Sequence, residues 1–309
     1  MKRLLITGAS GFIGRHCAKL AAERGFDVWA TRSGRSNDGG EDAHGAITWR
    51  TVDLLAPAGL ERLLDEAKPT HVLHTAWVTE HGSYWSSPAN LDWLALGARF
   101  FKRFAEIGGQ RFVCAGTCAE YDWSYGFMVE DTTPDLPGTF YGSAKLIHHQ
   151  TLMATANQLG FSAASGRIFF AYGPHENSSR FIPSICRSLA QGSEAAMGSG
   201  RFFRDFMHVE DVASGFLALL ESGITGSCNI SSGEPRRLID IAMTLGRFEG
   251  KEALIRAGAR QDKVNEPDML VGSNRKLLTT GWQPKIEFEE GLLRTYEWWK
   301  NVSTKDQAF

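Results

Sequence analysis

Apolar residues in this chain come in short runs, and between them lie longer stretches of helical spacing. Leu4, Leu5 and Ile6 form the first run; residues 12–24 then place apolar positions at helical intervals and stop at Gly25. That order predicts strand, tight turn and helix. "FDVWATRS" predicts a second strand ending near Thr31, followed by a loop over 33–45 rich in Gly, Ser, Asn and Asp. Further strands are predicted at "AITWRTVDLL", "HVLHTA", "RFVCAG" and "FSAASGRIFF", with helices over 58–67, where Pro69 stops it, and over about 88–106 and 141–159. Strands alternating with helices in this way predict an α/β fold, a doubly wound, mostly parallel sheet with helices on both faces.

The turn after the first strand reads "ITGASGFIG". Gly8 would let the chain turn sharply, Gly11 would let the backbone approach a pyrophosphate, and Gly14 would let the helix pack closely on the strand. The free N–H groups at the helix start, at Phe12 and Ile13, would face the phosphates. An ordinary glycine-rich turn is the competing reading; the position directly after a buried-looking first strand favours a dinucleotide site. The sheet is therefore expected to be Rossmann-type, an NAD(P)-binding domain over residues 1–166. From residue 167 the rhythm changes to "AYGPHENSS", a helix over about 181–191 and shorter pieces as far as "TTGWQP". Residues 167–309 are expected to form mainly a smaller C-terminal α/β substrate-binding domain, with one or two segments returning to the first. The last helix, about 288–300, carries Trp298 and Trp299, read as C-terminal packing.

Composition narrows the partners. A chain of 309 residues with 43% apolar content can bury a sizeable core. Its net charge of −2 gives no support for a nucleic-acid partner. Five scattered cysteines, Cys17, Cys114, Cys118, Cys186 and Cys228, read as reduced thiols in a cytoplasmic protein. No metal-ligand spacing occurs, so no metal is expected, and the adjacent His148 and His149 read as a helix surface. No apolar stretch reaches membrane-spanning length, and no membrane partner is expected.

Two stretches carry candidate chemistry. In "FYGSAKL", Tyr141 and Lys145 are four apart, so on a helix both side chains leave one face. An ammonium beside a phenol favours the phenolate, so Lys145 is expected to lower the pKa of Tyr141 and let it exchange protons. In "CAGTCAEYDW", Thr117 stands at the end of the fifth strand, where parallel sheets place their ligands, and could hydrogen-bond a substrate oxygen.

Taken together these motifs resemble the extended short-chain dehydrogenase/reductases, the nucleotide-sugar epimerase/dehydratase group. The resemblance runs from GASGFIG through "VDLL" at Asp53, "HVLHTA" at His74 and YGSAK to "RIFFAYGP" at Arg167, "RDFMHVEDVA" at Arg204 and "GWQP" at Gly281. It implies that Tyr141 is the acid/base, Lys145 its partner and a ribose ligand, and Thr117 the hydroxyl that orients the reacting carbonyl or alcohol. By the same resemblance Asp53 and Leu54 lie near the adenine, Arg204 and Arg260 bind a substrate diphosphate, and the chain forms a homodimer through the helices near 88–106 and 141–159. NAD-binding units carry an acid at the end of the second strand; here stand Thr31, Arg32 and Ser33, and Arg32, with Arg35, could meet a 2′-phosphate. NADP(H) is therefore expected over NAD(H).

The pattern also departs from the family. Sugar 4,6-dehydratases of the group carry Asp-Glu directly after the threonine; here Cys118 and Ala119 follow, and Glu120 is one place further on, which disfavours that dehydration. Two family asparagines are absent: "LDWLALGARFF" offers none, and Phe170 stands at the other position. The loop "WVTEHGSYWSSP" could line a sugar pocket with His81, Tyr84 and Trp85, as could Trp123 and Tyr125, although ordinary loop packing competes for each. The reading that follows is a reductase of a nucleotide-linked 4-keto-6-deoxyhexose using NADPH. Its alternatives are a nucleotide-sugar 4-epimerase that retains NAD and a nucleotide-binding regulator without turnover.

Overall fold

The structure, a computed structural model, describes residues 2–34, 45–78, 80 and 82–306. The first stretch runs β1 (Arg3–Thr7), α1 (Phe12–Glu23), β2 (Asp27–Arg32), β3 (Ile47–Thr51), α2 (Pro57–Ala67), β4 (His71–His74), α3 (Ala89–Glu106) and β5 (Arg111–Thr117). Next come a two-residue strand β6 (Phe127–Met128), α4 (Phe140–Leu159), β7 (Ser162–Ile168), β8 (Phe170–Tyr172) and α5 (Phe181–Ala190). They are followed by β9 (Ala195–Ala196), β10 (Phe203–Arg204), β11 (Phe206–His208), α6 (Val209–Glu221) and β12 (Gly226–Ile230). The chain closes with β13 (Arg236–Arg237), α7 (Leu238–Arg247), β14 (Ile255–Arg256), β15 (Met269–Gly272), α8 (Arg275–Leu278) and α9 (Phe288–Asp306).

Seven strands form one parallel sheet in the order β12-β7-β5-β4-β1-β2-β3. Strand order reverses between β1 and β4, so a crevice opens at their C-terminal ends, where open α/β sheets bind ligands. Every residue of β4 and β5 is buried, as strands covered on both faces must be. One face is packed by Cys17, Ala18 and Ala21 of α1 with Val212, Phe216 and Leu220 of α6. The other is packed by Leu96, Phe100, Phe101 and Phe104 of α3 with Leu152 and Ala156 of α4. A third core joins Ile182, Ile185 and Leu189 of α5 to Ile241 and Leu245 of α7 and to Leu292, Tyr296 and Trp299 of α9. Trp299 is thus C-terminal packing, and Trp298 lies against the His175 ring at 4.7 Å.

Three details depart from the sequence pattern. The run "FSAASGRIFF" is not one strand: β7 ends at Ile168, and β8 pairs with β11 in a separate small sheet. The seventh strand of the main sheet, β12, comes from far along the chain and pairs with β7 from Gly226↔Ala164 to Ile230↔Ile168. His148 is not on a helix surface; it is 1% exposed and its ring meets His74, Trp77 and Phe101. Gly97 on α3 admits that ring, since a Cβ there would stand 2.5 Å from His148 Cδ2. His149 is half-buried.

Candidate functional site

The turn after β1 is built for close approach. Gly8 sits at φ +73°, and a Cβ on it would lie 2.7 Å from the Ala76 nitrogen just past β4, so the sheet crevice closes on glycine alone. A Cβ on Gly14 would lie 2.2 Å from the Gly8 carbonyl oxygen, which ties α1 tightly to the turn. Gly11 is the N-cap of α1 and no side chain caps the helix, leaving the first-turn amides of Phe12 and Ile13 to an anion. Thr31, buried at the end of β2, accepts from Gly8 N–H through Oγ1 (3.2 Å) and from Ala9 N–H through its carbonyl (3.1 Å).

Arg32, the last residue of β2, donates from Nε to Thr51 Oγ1 (3.1 Å), and its guanidinium lies 5.9 Å from the Trp49 ring centroid. Asp53 is exposed and its Oδ1 accepts from Leu55 N–H (3.0 Å); Leu54 beside it is buried. Arg35 lies outside the described residues. An uncapped helix start and a glycine turn at the strand-order reversal fit the pyrophosphate of a dinucleotide.

Thr117 ends β5 one strand away from the crevice. It caps a 3₁₀ turn over Cys118–Glu120: its Oγ1 accepts from Ala119 N–H (3.2 Å), while its own N–H donates to Glu120 Oε1 (2.8 Å). A hydroxyl that accepts one bond still has a proton to donate. Tyr141 and Lys145 leave α4 on the side facing this turn, and a Cβ on the intervening Gly142 would meet the Ala119 carbonyl oxygen at 2.2 Å. Lys145 is buried and its Nζ donates to the Ala115 carbonyl (2.8 Å).

The electrostatics correct one expectation. The pKa of Tyr141 is raised here, not lowered. Burial raises it well above the ordinary phenol range, Tyr84 and Glu120 add to the rise, and a hydrogen bond with Thr117 pulls the other way. Burial also pushes the Lys145 ammonium down to about 8. The physical reason is geometric: the ammonium is directed at the Ala115 carbonyl and at the Trp77 ring 3.9 Å away, so desolvation dominates both groups. Cys118, next to Thr117, is pushed up to about 12 by burial and remains a thiol.

Glu120 and Arg167 have an architectural role that the sequence did not reveal. Arg167 is fully buried on β7, donates from Nε to Glu120 Oε2 (2.8 Å), pairs with Asp135 (2.7 Å) and lies 4.2 Å over the Tyr121 ring. One Glu120 oxygen thus holds Thr117 and the other holds Arg167, so neither serves as a free acid.

Around Tyr141 the loop after β4 contributes rings. Tyr84 meets Tyr141 edge-on at 4.9 Å, Trp85 does so at 5.6 Å, and Trp123 packs on Trp85 at 6.1 Å. Tyr141 N–H donates to the Trp85 carbonyl (3.0 Å). Burial raises the Tyr84 phenol above its usual range, and the Arg180 guanidinium at the start of α5 offsets part of that rise. Tyr125 is exposed and His81 lies outside the described residues. Arg204 is buried on β10, donates to the Phe203 carbonyl (2.7 Å) and is ion-paired with Glu266. Arg260 is exposed; its N–H donates to the Met197 carbonyl (2.9 Å). A cleft of about 930 Å³ lies elsewhere, between α1, α6 and residues 279–286, and is lined by none of these groups. Among the described residues no group of acidic, histidine or cysteine side chains could hold a metal, and no helix is long and apolar enough to cross a membrane. All five thiols are unpaired and buried.

The chain belongs to the NAD dependent epimerase/dehydratase family, whose sequence profile matches residues 4–231. GDP-L-fucose synthase 1 of Arabidopsis thaliana is 25% identical over 328 residues, which cover 98% of this chain and 95% of the relative. CDP-abequose synthase of Salmonella typhimurium is 26% identical over 309 residues, covering 94% and 95%. Among solved structures, the UDP-glucose 4-epimerase of Thermus thermophilus in complex with NAD superposes with a TM-score of 0.86 at 24% identity, over 97% of this chain and 99% of that one.

Proposed function

We propose that the protein is a reductase that uses NADPH on the 4-keto group of a nucleotide-linked 4-keto-6-deoxyhexose. The observation that carries hydride transfer is the packing of α4, which bears Tyr141 and Lys145, against the turn that Thr117 caps. When bound, the dinucleotide supplies hydride to the carbonyl carbon. Thr117 donates a hydrogen bond to the carbonyl oxygen, and Tyr141 gives that oxygen its proton. Burial keeps the phenol protonated, so the proton this direction consumes is in place before reaction. The Lys145 ammonium then steadies the phenolate that remains.

Three further features support the choice among family chemistries. Glu120 is committed to Thr117 and Arg167, which leaves no acid beside the threonine for dehydration. Arg32 ends β2 where an NAD site carries a carboxylate, which favours NADPH. Tyr84, Trp85 and Trp123 crowd Tyr141; reduction uses one face of the sugar, whereas 4-epimerisation needs the ring to turn over in its pocket. On this reading the GDP- and CDP-linked products named for two relatives point to a nucleotide sugar here, with Arg204 and Arg260 toward its diphosphate. We also assign a cytoplasmic homodimer joined through α3 and α4, where Leu91, Phe140 and Ile147 are exposed.

The test mixes pure protein with NADPH and a panel of nucleotide-linked 4-keto-6-deoxyhexoses and follows reduced-nicotinamide absorbance. Stoichiometric consumption with one member is the expected result, and Tyr141→Phe should abolish it while still binding NADPH. No consumption across the panel, together with NAD retained on the purified protein, assigns the 4-epimerase instead.

A further inference from the structure

Lys145 is a buried cation that has no ion-pair partner among the described residues. Its Nζ instead stands 3.9 Å from the Trp77 ring centroid, a distance at which the ring quadrupole attracts an ammonium strongly once water is excluded. Trp77 is itself buried and its angle is fixed from the far edge. Nε1–H donates to Asn90 Oδ1 (2.8 Å), and Asn90, 0% exposed, donates to the carbonyls of Tyr84 (2.8 Å) and Ser87 (2.9 Å). The Trp93 ring stacks on Trp77 at 6.0 Å and the His148 ring meets it edge-on at 5.2 Å. Three hydrogen bonds of Asn90 thus hold a ring whose face meets one ammonium.

We propose that Trp77 is a positioning residue for Lys145: its π face sustains the buried ammonium in place of a carboxylate and holds it on the helix side shared with Tyr141, with Asn90 setting the ring's angle. The choice of a ring over an acid has a chemical consequence. A carboxylate would cancel the charge that a phenolate needs to feel, whereas a ring stabilises the cation and leaves its charge intact. The inference rests on the reading that Lys145 works beside Tyr141. It goes further in naming what keeps Lys145 able to do so.

The other groups that face Lys145 do not replace Trp77. Cys114 from β5 and Glu120 from the turn after it favour the charged ammonium, and Cys114 itself is pushed up to about 11 by burial. His74 from β4 and His148 from α4 are neutral at working pH, since burial pushes His74 down to about 3 and His148 well below the usual range. Tyr141 stands one turn back on the same helix.

The test labels lysine with ¹³C at Cε and follows the titration of Lys145 by NMR, its resonance identified by loss in Lys145→Met. Trp77→Leu should lower the midpoint by about one pH unit and Trp77→Phe by less, because the smaller ring keeps part of the attraction. Equal shifts in the two variants, or a wild-type midpoint in both, overturn the proposal. Should the leucine variant not fold, a wild-type midpoint in Trp77→Phe alone overturns it. No substrate is needed, so failure of every sugar nucleotide to turn over would defeat the functional reading without touching this measurement.

Discussion

Arg167 on β7 and Lys145 on α4 are both buried cations, and both lie within reach of the turn that Thr117 caps, yet their surroundings are opposite. Arg167 has two carboxylates, Glu120 and Asp135, and the Tyr121 ring. Burial pulls its pKa down, but the two acids more than reverse this and lift it above the ordinary range. Lys145 has a backbone carbonyl and a ring, and burial leaves it at about 8. A buried charge with partners is fixed in one state and serves the frame. One without them sits close to neutrality, where proton chemistry takes place.

The largest effect expected from this contrast is on turnover. Lys145→Met should lower it by about 10²–10⁴-fold, yet leave the protein as stable at pH 7 or more so. The sign follows from the depressed pKa: a lysine at about 8 when folded and at its ordinary 10.5 when unfolded gives stability that is present above 10.5 and lost as pH falls through 8. At pH 7 the charge is a burden that methionine removes. A clear loss of stability in thermal melts would break the contrast.

Arg167→Met should do the reverse, costing about 3–5 kcal/mol in urea unfolding because Glu120 is left buried and charged, with a smaller loss of activity per folded molecule. A stability within error of wild type would place Arg167 on the wrong side of the comparison.

Glu176 sharpens it, because it is paired on one oxygen only. Oε1 lies 3.5 Å from Arg180 Nε, Oε2 is buried without a partner among the described residues, and burial pushes the carboxyl up to about 8. Its folded pKa lies above the ordinary 4.5, so its contribution is present below 4.5 and lost as pH rises through 8. Glu176→Gln should therefore raise Tm by a few degrees at pH 8.5 and change it little at pH 4.5. The smallest effect concerns a half-exposed cation: Arg32→Ala should weaken NADPH binding by about tenfold and leave NADH unchanged in fluorescence titration.

Most of the frame was legible because it follows from period and punctuation. The first strand, the Gly8 turn and α1 come from three apolar residues and three glycines in one short stretch, and α3 and α4 come from helical spacing with their stops. Thr117, Tyr141 and Lys145 were legible because strand end and helix spacing place them. What the pattern could not supply were pairings across long separations. Trp77 over Lys145, Arg204 with Glu266 and Arg167 with Glu120 each join residues 47 or more apart, and no local rule selects such partners. His148 was misplaced because its polarity suggested solvent, while Gly97 on another helix opened space for it inside. One signal was there to be used: Thr117 and Glu120 have the T-x-x-E spacing of a capping box, which already gives that glutamate a structural role.

That box also sets how small a portable version of this site can be. The three candidate side chains would fit on a strand end and one helix, a tempting graft for any parallel sheet. Thr117, however, is aimed by Glu120, and Glu120 is held by a side chain 47 residues later on the neighbouring strand. A transplant that moves Thr117, Tyr141 and Lys145 without Glu120 and Arg167 would carry the three side chains and leave the jig behind.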